Sequence, residues 1–162
     1  MSRKSFRQLT IYKGGTSIRV VIVERRAHVR KEIRNLLEQD GEVEIAGVTR
    51  SPENVLPLIH ARQPDVVLIE AGHPDGHGIQ TCQEIRGRFP DTRIIFLAAK
   101  AESDMIRRAI SAGCHGYLVE PLSSNRIIPA VKAVAQDSFY FDFTGPASLT
   151  GGTERPGLRL EE

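Results

Sequence analysis

The stretch PDVVLIEAGHPDGHGIQTCQEIR, residues 64–86, decides the fold. Val66-Val67-Leu68-Ile69 is apolar at every position and too short for a helix, so it reads as a strand buried on both faces. Glu70 ends that strand, and Gly72 to Gly78 reads as a loop. Ile79, Cys82, Ile85 and Phe89 then recur at helical spacing, which predicts a helix with one apolar face. Strand, loop and helix in this order make half of a βαβ unit.

The pattern repeats on both sides. Upstream, Ile18 to Val23 is a β-branched run, and Val29, Ile33, Leu36 and Leu37 mark a helix that stops at Asp40-Gly41. Glu42 to Ile45 alternates polar and apolar, as an edge strand does. Ser51-Pro52 opens a further helix, which Pro57 should kink or delay. Downstream, Ile94 to Leu97 is a third buried strand. Met105, Ile106, Ala109 and Ile110 mark a helix closed near Gly113. Tyr117-Leu118-Val119 is a last short strand, and Ile127, Ile128, Val131 and Val134 mark a last helix.

Five strands alternating with five helices predict a flavodoxin-like (βα)5 three-layer α/β sandwich with a parallel sheet in order 2-1-3-4-5. The order follows from placing the most apolar strands centrally. The domain is expected over 18–138, with a basic flexible tail at 1–17 and a largely disordered tail at 139–162. The chain has 162 residues, 40% hydrophobic and 26% charged, with a net charge of +2. That charge is too small to argue for nucleic acid by itself. No signal-peptide core or membrane-length apolar run is present, so a cytoplasmic location is expected. Cys82 and Cys114 lack metal-ligand spacing and read as reduced core residues.

In such a sheet the functional crevice lies beyond the carboxyl ends of the strands. Glu24-Arg25, Glu70, Ala98-Ala99 and Glu120-Pro121 stand there. With these residues in view, the blocks VIVERRAHVRKEIRNLL, PDVVLIEAGHPDGHGIQTCQEIR, PDTRIIFLAA and AISAGCHGYLVEPLSSNRIIPAVKAVA resemble, in order, a response-regulator receiver domain of the LuxR/NarL type. The resemblance implies phosphoryl transfer to an aspartate, with Mg²⁺ held by an acidic pair, a Ser/Thr hydroxyl, and a lysine before a proline.

This sequence departs from that pattern at each of these functions. The acidic pair is Glu24-Arg25, the phosphoacceptor position Glu70, the hydroxyl position Ala98 and the lysine position Glu120. Pro74, Gly78, Tyr117 at the switch-aromatic position, and Pro121 fit the pattern, and the Glu120–Pro121 bond is expected to be cis. A glutamate carboxylate sits about 1.5 Å further out than an aspartate's, and errors of that order are costly to group transfer. Arg25 should repel Mg²⁺, so its binding is expected to be lost, and Glu120 should repel a phosphoryl group. An atypical or pseudo-receiver is therefore expected, with no enzymatic activity and no cofactor.

Arg25 is expected to bridge Glu70 and, less securely, Glu120, taking the place of metal and lysine. The competing reading leaves Arg25 in solvent. Glu70 could also mimic a phosphorylated aspartate, but Ala98 and Glu120 are poor readers of one. A metal site at Glu70, His73, Asp75 and His77 is disfavoured, because loop histidines are usually exposed and unliganded. His115 is expected at the sheet's edge.

The favoured function is signal transduction through a protein partner or homodimer. The surface would be the fourth helix, fifth strand and fifth helix, or the first and fifth helices. One alternative is a phosphorelay receiver still accepting a phosphoryl group at Glu70 or Asp75. Another is the receiver part of a transcription regulator without its DNA-binding domain. A flavin carrier of the same fold fails for want of a phosphate loop after the first strand.

Overall fold

The computed structural model describes residues 17–72 and 77–144. Residues 1–16 of the tail expected over 1–17, the loop residues His73, Pro74, Asp75 and Gly76, and residues 145–162 of the tail expected over 139–162 lie outside the described residues.

The strands are β1 (Ile18–Val23), β2 (Val43–Thr49), β3 (Val66–Glu70), β4 (Arg93–Ala98), β5 (Gly116–Val119) and β6 (Tyr140–Asp142). The helices are α1 (Ala27–Leu37), α2 (Val55–Arg62), α3 (His77–Arg88), α4 (Ser103–Ser111) and α5 (Ser124–Ala135). All strands pair in parallel, in the order β2-β1-β3-β4-β5-β6. The predicted order 2-1-3-4-5 is therefore present, and one more strand has been added at its end.

The period of two along each strand sorts the core into two layers. Val20, Ile22, Val66, Leu68, Ile95, Leu97 and Leu118 face α1 and α5, meeting Ile33, Leu37, Ile127 and Val131. Val21, Val23, Val67, Ile69, Ile94, Phe96, Tyr117 and Val119 face the other way, toward Val55, Ile59, Cys82, Ile85 and Ala109. β3 is buried at every residue, as its unbroken apolar run requires. β2 is mostly half-exposed, as its alternation predicts for an edge.

Pro57 delays the second helix rather than kinking it. Residues Pro52–Asn54 form a 3-10 turn, and α2 proper begins at Val55. Pro57 thus falls in the first turn, where its missing N–H has no intrahelical partner to lose. Ser51 makes no side-chain cap hydrogen bond to that turn. Both cysteines are free and buried, and burial pushes both thiols up to about 12. No helix among the described residues is long and apolar enough to cross a membrane.

The sixth strand corrects the expected domain end. Residues 140–142 were expected to belong to a disordered tail, yet they pair with β5, Gly116 to Leu118 opposite Tyr140 to Asp142. Phe139, Phe141 and Phe143 recur at every second residue, the strand period, and their rings form a stacked row with centroids 6.0 and 6.1 Å apart. His115, expected at the sheet's edge, is instead covered by β6, whose Tyr140 N–H donates to its carbonyl at 3.0 Å. It is 9% exposed and stacks on Phe139 at 6.1 Å.

Candidate functional site

The crevice is built by strand ends. β1 delivers Glu24 and Arg25, β3 ends on Glu70, β4 ends on Ala98, and β5 leads into Glu120-Pro121. The parallel register brings these ends to one side of the sheet, and the Glu120–Pro121 bond is cis, as expected. Gly78 lets α3 begin close by: a Cβ there would stand 3.2 Å from the Glu70 carbonyl oxygen.

Glu70 is 5% exposed, and both of its carboxylate oxygens are occupied. The Arg25 backbone N–H donates to Oε1 at 3.0 Å, and the Arg25 guanidinium Nη2 meets Oε2 at 2.8 Å. Arg25 therefore takes the partner the sequence expected, while its own side chain stays 40% exposed. The reading that left Arg25 in solvent does not hold in this geometry.

The second expected contact belongs to a different residue. Arg26, which the sequence reading passed over, bridges Glu120 and Glu24. Its Nη2 reaches Glu120 Oε2 at 2.7 Å, and its Nε meets Glu24 Oε2 at 2.8 Å. The Arg26 backbone N–H adds a third bond to Glu24 Oε2 at 3.0 Å, and its Nε lies 4.0 Å from Glu70 Oε2. Arg30 closes the rim by donating to the Glu24 carbonyl at 2.9 Å. A signal for Arg26 existed: it directly follows the Glu24-Arg25 pair, and two arginines at a strand end can split between neighbouring acids.

Electrostatics follow from this wiring. Glu24 is 1% exposed, and burial pushes its carboxyl above the ordinary glutamate range while the Arg26 hydrogen bonds pull it back. Burial alone would weaken the Arg26 guanidinium's hold on its proton. The hydrogen bonds to Glu24 and Glu120 reverse that, so it is held more firmly charged than usual. Counting Arg26, three carboxylates face two guanidiniums, a formal charge of −1 where Arg25 alone would leave −2.

The donor set does not suit Mg²⁺, which needs near-octahedral oxygen ligands at about 2.0–2.1 Å. Glu24 and Glu70 already face guanidiniums at 2.8 Å, so a cation would have to displace two paired positive charges. Among the described residues no group of three His, Cys, Asp or Glu side chains could hold a metal ion. Of the disfavoured loop metal site, His77 opens α3 with an exposed side chain, and His73 and Asp75 lie outside the described residues.

Ala98 is buried and offers no hydroxyl. Its carbonyl accepts the Glu120 N–H at 2.8 Å, which fixes the start of the β5–α5 loop. Tyr117 is fully buried. Its ring lies 6.3 Å from Phe96 and 5.7 Å from Phe143, and its hydroxyl has no hydrogen-bond partner among the described residues.

Comparison with known proteins gives the family of this fold. The family model described as response regulator receiver domain matches residues 20–132. The chain is 30% identical over 132 residues to the DNA-binding transcriptional activator DevR/DosR of Mycobacterium tuberculosis, covering 82% of this chain. It spans only 61% of that activator's length. It is 27% identical over 118 residues to the chemotaxis protein CheY of Thermotoga maritima, covering 73% of this chain and 98% of CheY. Among solved structures, the signal receiver domain of NarL from Mycobacterium tuberculosis superposes with a TM-score of 0.70 at 27% identity, covering 74% of this chain and 97% of that one. The chain belongs to the response regulator receiver domain family.

Proposed function

We propose that this receiver is atypical: its crevice is closed by Arg25 and Arg26, it is not phosphorylated by the aspartyl route, and it signals by protein–protein contact. The observation that carries the reading is the double engagement of Glu70 by Arg25. An attacking carboxylate oxygen must be free to meet the phosphorus in line. Arg25 engages both Glu70 oxygens, so an incoming phosphorus must compete with it, and the residues at the hydroxyl and lysine positions, Ala98 and Glu120, cannot clamp the transferred group. The static ion pairs also favour a single arrangement of the crevice that needs no metal. A phospho-mimic role for Glu70 is less favoured, because its charge is spent on Arg25; Glu70→Gln should leave partner affinity unchanged.

Incubation with acetyl phosphate and Mg²⁺, read by intact-protein mass spectrometry, tests the reading. Unmodified protein is expected. Stoichiometric phosphorylation would overturn it and restore the phosphorelay alternative, with Glu70→Gln and Asp75→Asn locating the acceptor. The reading as the receiver part of a transcription regulator is favoured by one observation, the coverage of 61% of a DNA-binding activator. On that reading the partner is an output domain outside the 162 residues.

A further inference from the structure

We propose that the groove along the β5 edge accepts β6 from a second copy of this chain as well as its own, so that two copies associate by exchanging residues 138–144. Three independent features point there.

The groove and strand are matched in side chains. Phe141 and Phe143 pack into the layer around Tyr117, while Tyr140 packs against the opposite layer. Arg126 Nε meets Asp142 Oδ2 at 3.1 Å, and its Nη1 donates to the Val119 carbonyl at 2.7 Å. Arg126 thereby ties the end of β5 to β6. Every one of these contacts can be made identically by a strand arriving from another copy, because the partner carries the same residues. Exchange of an identical element also generates a closed two-fold arrangement.

The connection is short and strained. Only residues 136–139 separate α5 from β6, and Asp137 sits at φ +67° without being glycine. A residue with a side chain is held there less readily than glycine would be. Opening the hinge into an extended link relieves that strain, and short strained hinges favour exchange. Asp137 also pairs with Arg93 at the surface, where an exposed ion pair contributes little, so the backbone conformation at 137 decides the hinge.

The strand is also weakly held. It is three residues long, and Phe139 is 50% exposed, the only exposed large hydrophobic among the described residues. A short edge strand with an exposed ring opens at little cost compared with the buried central strands.

Charge reversal tests the inference in the full chain. Arg126→Glu and Asp142→Arg each place like charges across the groove, whether the strand is its own or a twin's. Mixed copies that exchange strands restore opposite charges in both grooves. Native mass spectrometry of the mixture should show a one-to-one heterodimer enriched roughly tenfold over either homodimer, the scale of replacing like by opposite cross-strand charges. Two monomers with native circular dichroism and no heterodimer would overturn it. Hinge variants of the otherwise unchanged chain give a second test that does not disturb Arg126. Asp137→Val should raise the dimer share in sedimentation and Asp137→Gly should lower it; identical sedimentation of the two would overturn the proposal.

Discussion

Two regions of this molecule are held by opposite means. At the crevice, Glu24, Glu70 and Glu120 are tied by Arg25 and Arg26 through ion pairs of 2.7–2.8 Å. At the β5–β6 edge, four rings form a row from Phe139 through Phe141 and Phe143 to Tyr117, with the Arg126–Asp142 ion pair beside them. The first region depends on mutual neutralisation of buried charge, so loss of one member strands its partner. The second depends on area, so loss of one member leaves a void and little else. Substitutions should therefore cost more in the crevice than at the edge.

The largest effect is expected from Arg26→Ala. It leaves Glu24, 1% exposed, without its guanidinium, and stranding a buried charge costs about 3 kcal/mol. Urea unfolding at neutral pH measures this. The loss should shrink toward acid, because an unpaired Glu24 can take up a proton. A loss no greater than that of Phe143→Ala would break the contrast between the regions.

Acidification is expected to come next, and it strikes the edge. His115 Nδ1 accepts the Ile94 N–H at 3.0 Å and so must stay neutral. Burial first, then Arg86 and Arg93, push it down from 6.5 to about 4. Between those values the unfolded chain binds a proton that the folded chain refuses. Stability thus rises with pH from about 4 to 6.5 and is lost on acidification, by about 2 kcal/mol. His115→Gln should flatten that slope in pH-dependent thermal melts.

Phe143→Ala should cost about 1–2 kcal/mol, less than a full core truncation because the ring is half-buried. The smallest effect belongs to Tyr117→Phe. It removes a buried hydroxyl that has no partner among the described residues and should be neutral or stabilising by up to about 1 kcal/mol in the same melts. A marked loss would mean that the hydroxyl is satisfied in solution.

Legibility in the sequence divides along the same line. The strand ends Glu24, Glu70, Ala98 and Glu120 could be placed because buried parallel strands read as unbroken apolar runs, and their ends define the crevice. Charge and the planar guanidinium fork suggested the Arg25–Glu70 pair but did not exclude an Arg25 left in solvent; the 2.8 Å contact decides between them. Arg26 did not, since which of two adjacent arginines reaches which acid depends on backbone direction after β1, and no periodicity encodes that. β6 was hidden for another reason. Phe139, Tyr140, Phe141, Asp142 and Phe143 alternate, but five residues beside a polar, Gly-rich segment are too few to separate an edge strand from a tail. Its pairing comes from the Phe141 and Phe143 rings meeting the layer around Tyr117, a contact more than twenty residues away in sequence.

On the proposed reading, Arg25 and Arg26 fill the place where a receiver would hold its metal. Amide-resolved NMR of the full chain during a Mg²⁺ titration tests it most directly. The closed crevice predicts no saturable shift at Glu24, Arg25, Glu70 or Glu120 beyond a general ionic-strength drift. A saturable shift confined to those amides, abolished by Glu70→Gln, would contradict it.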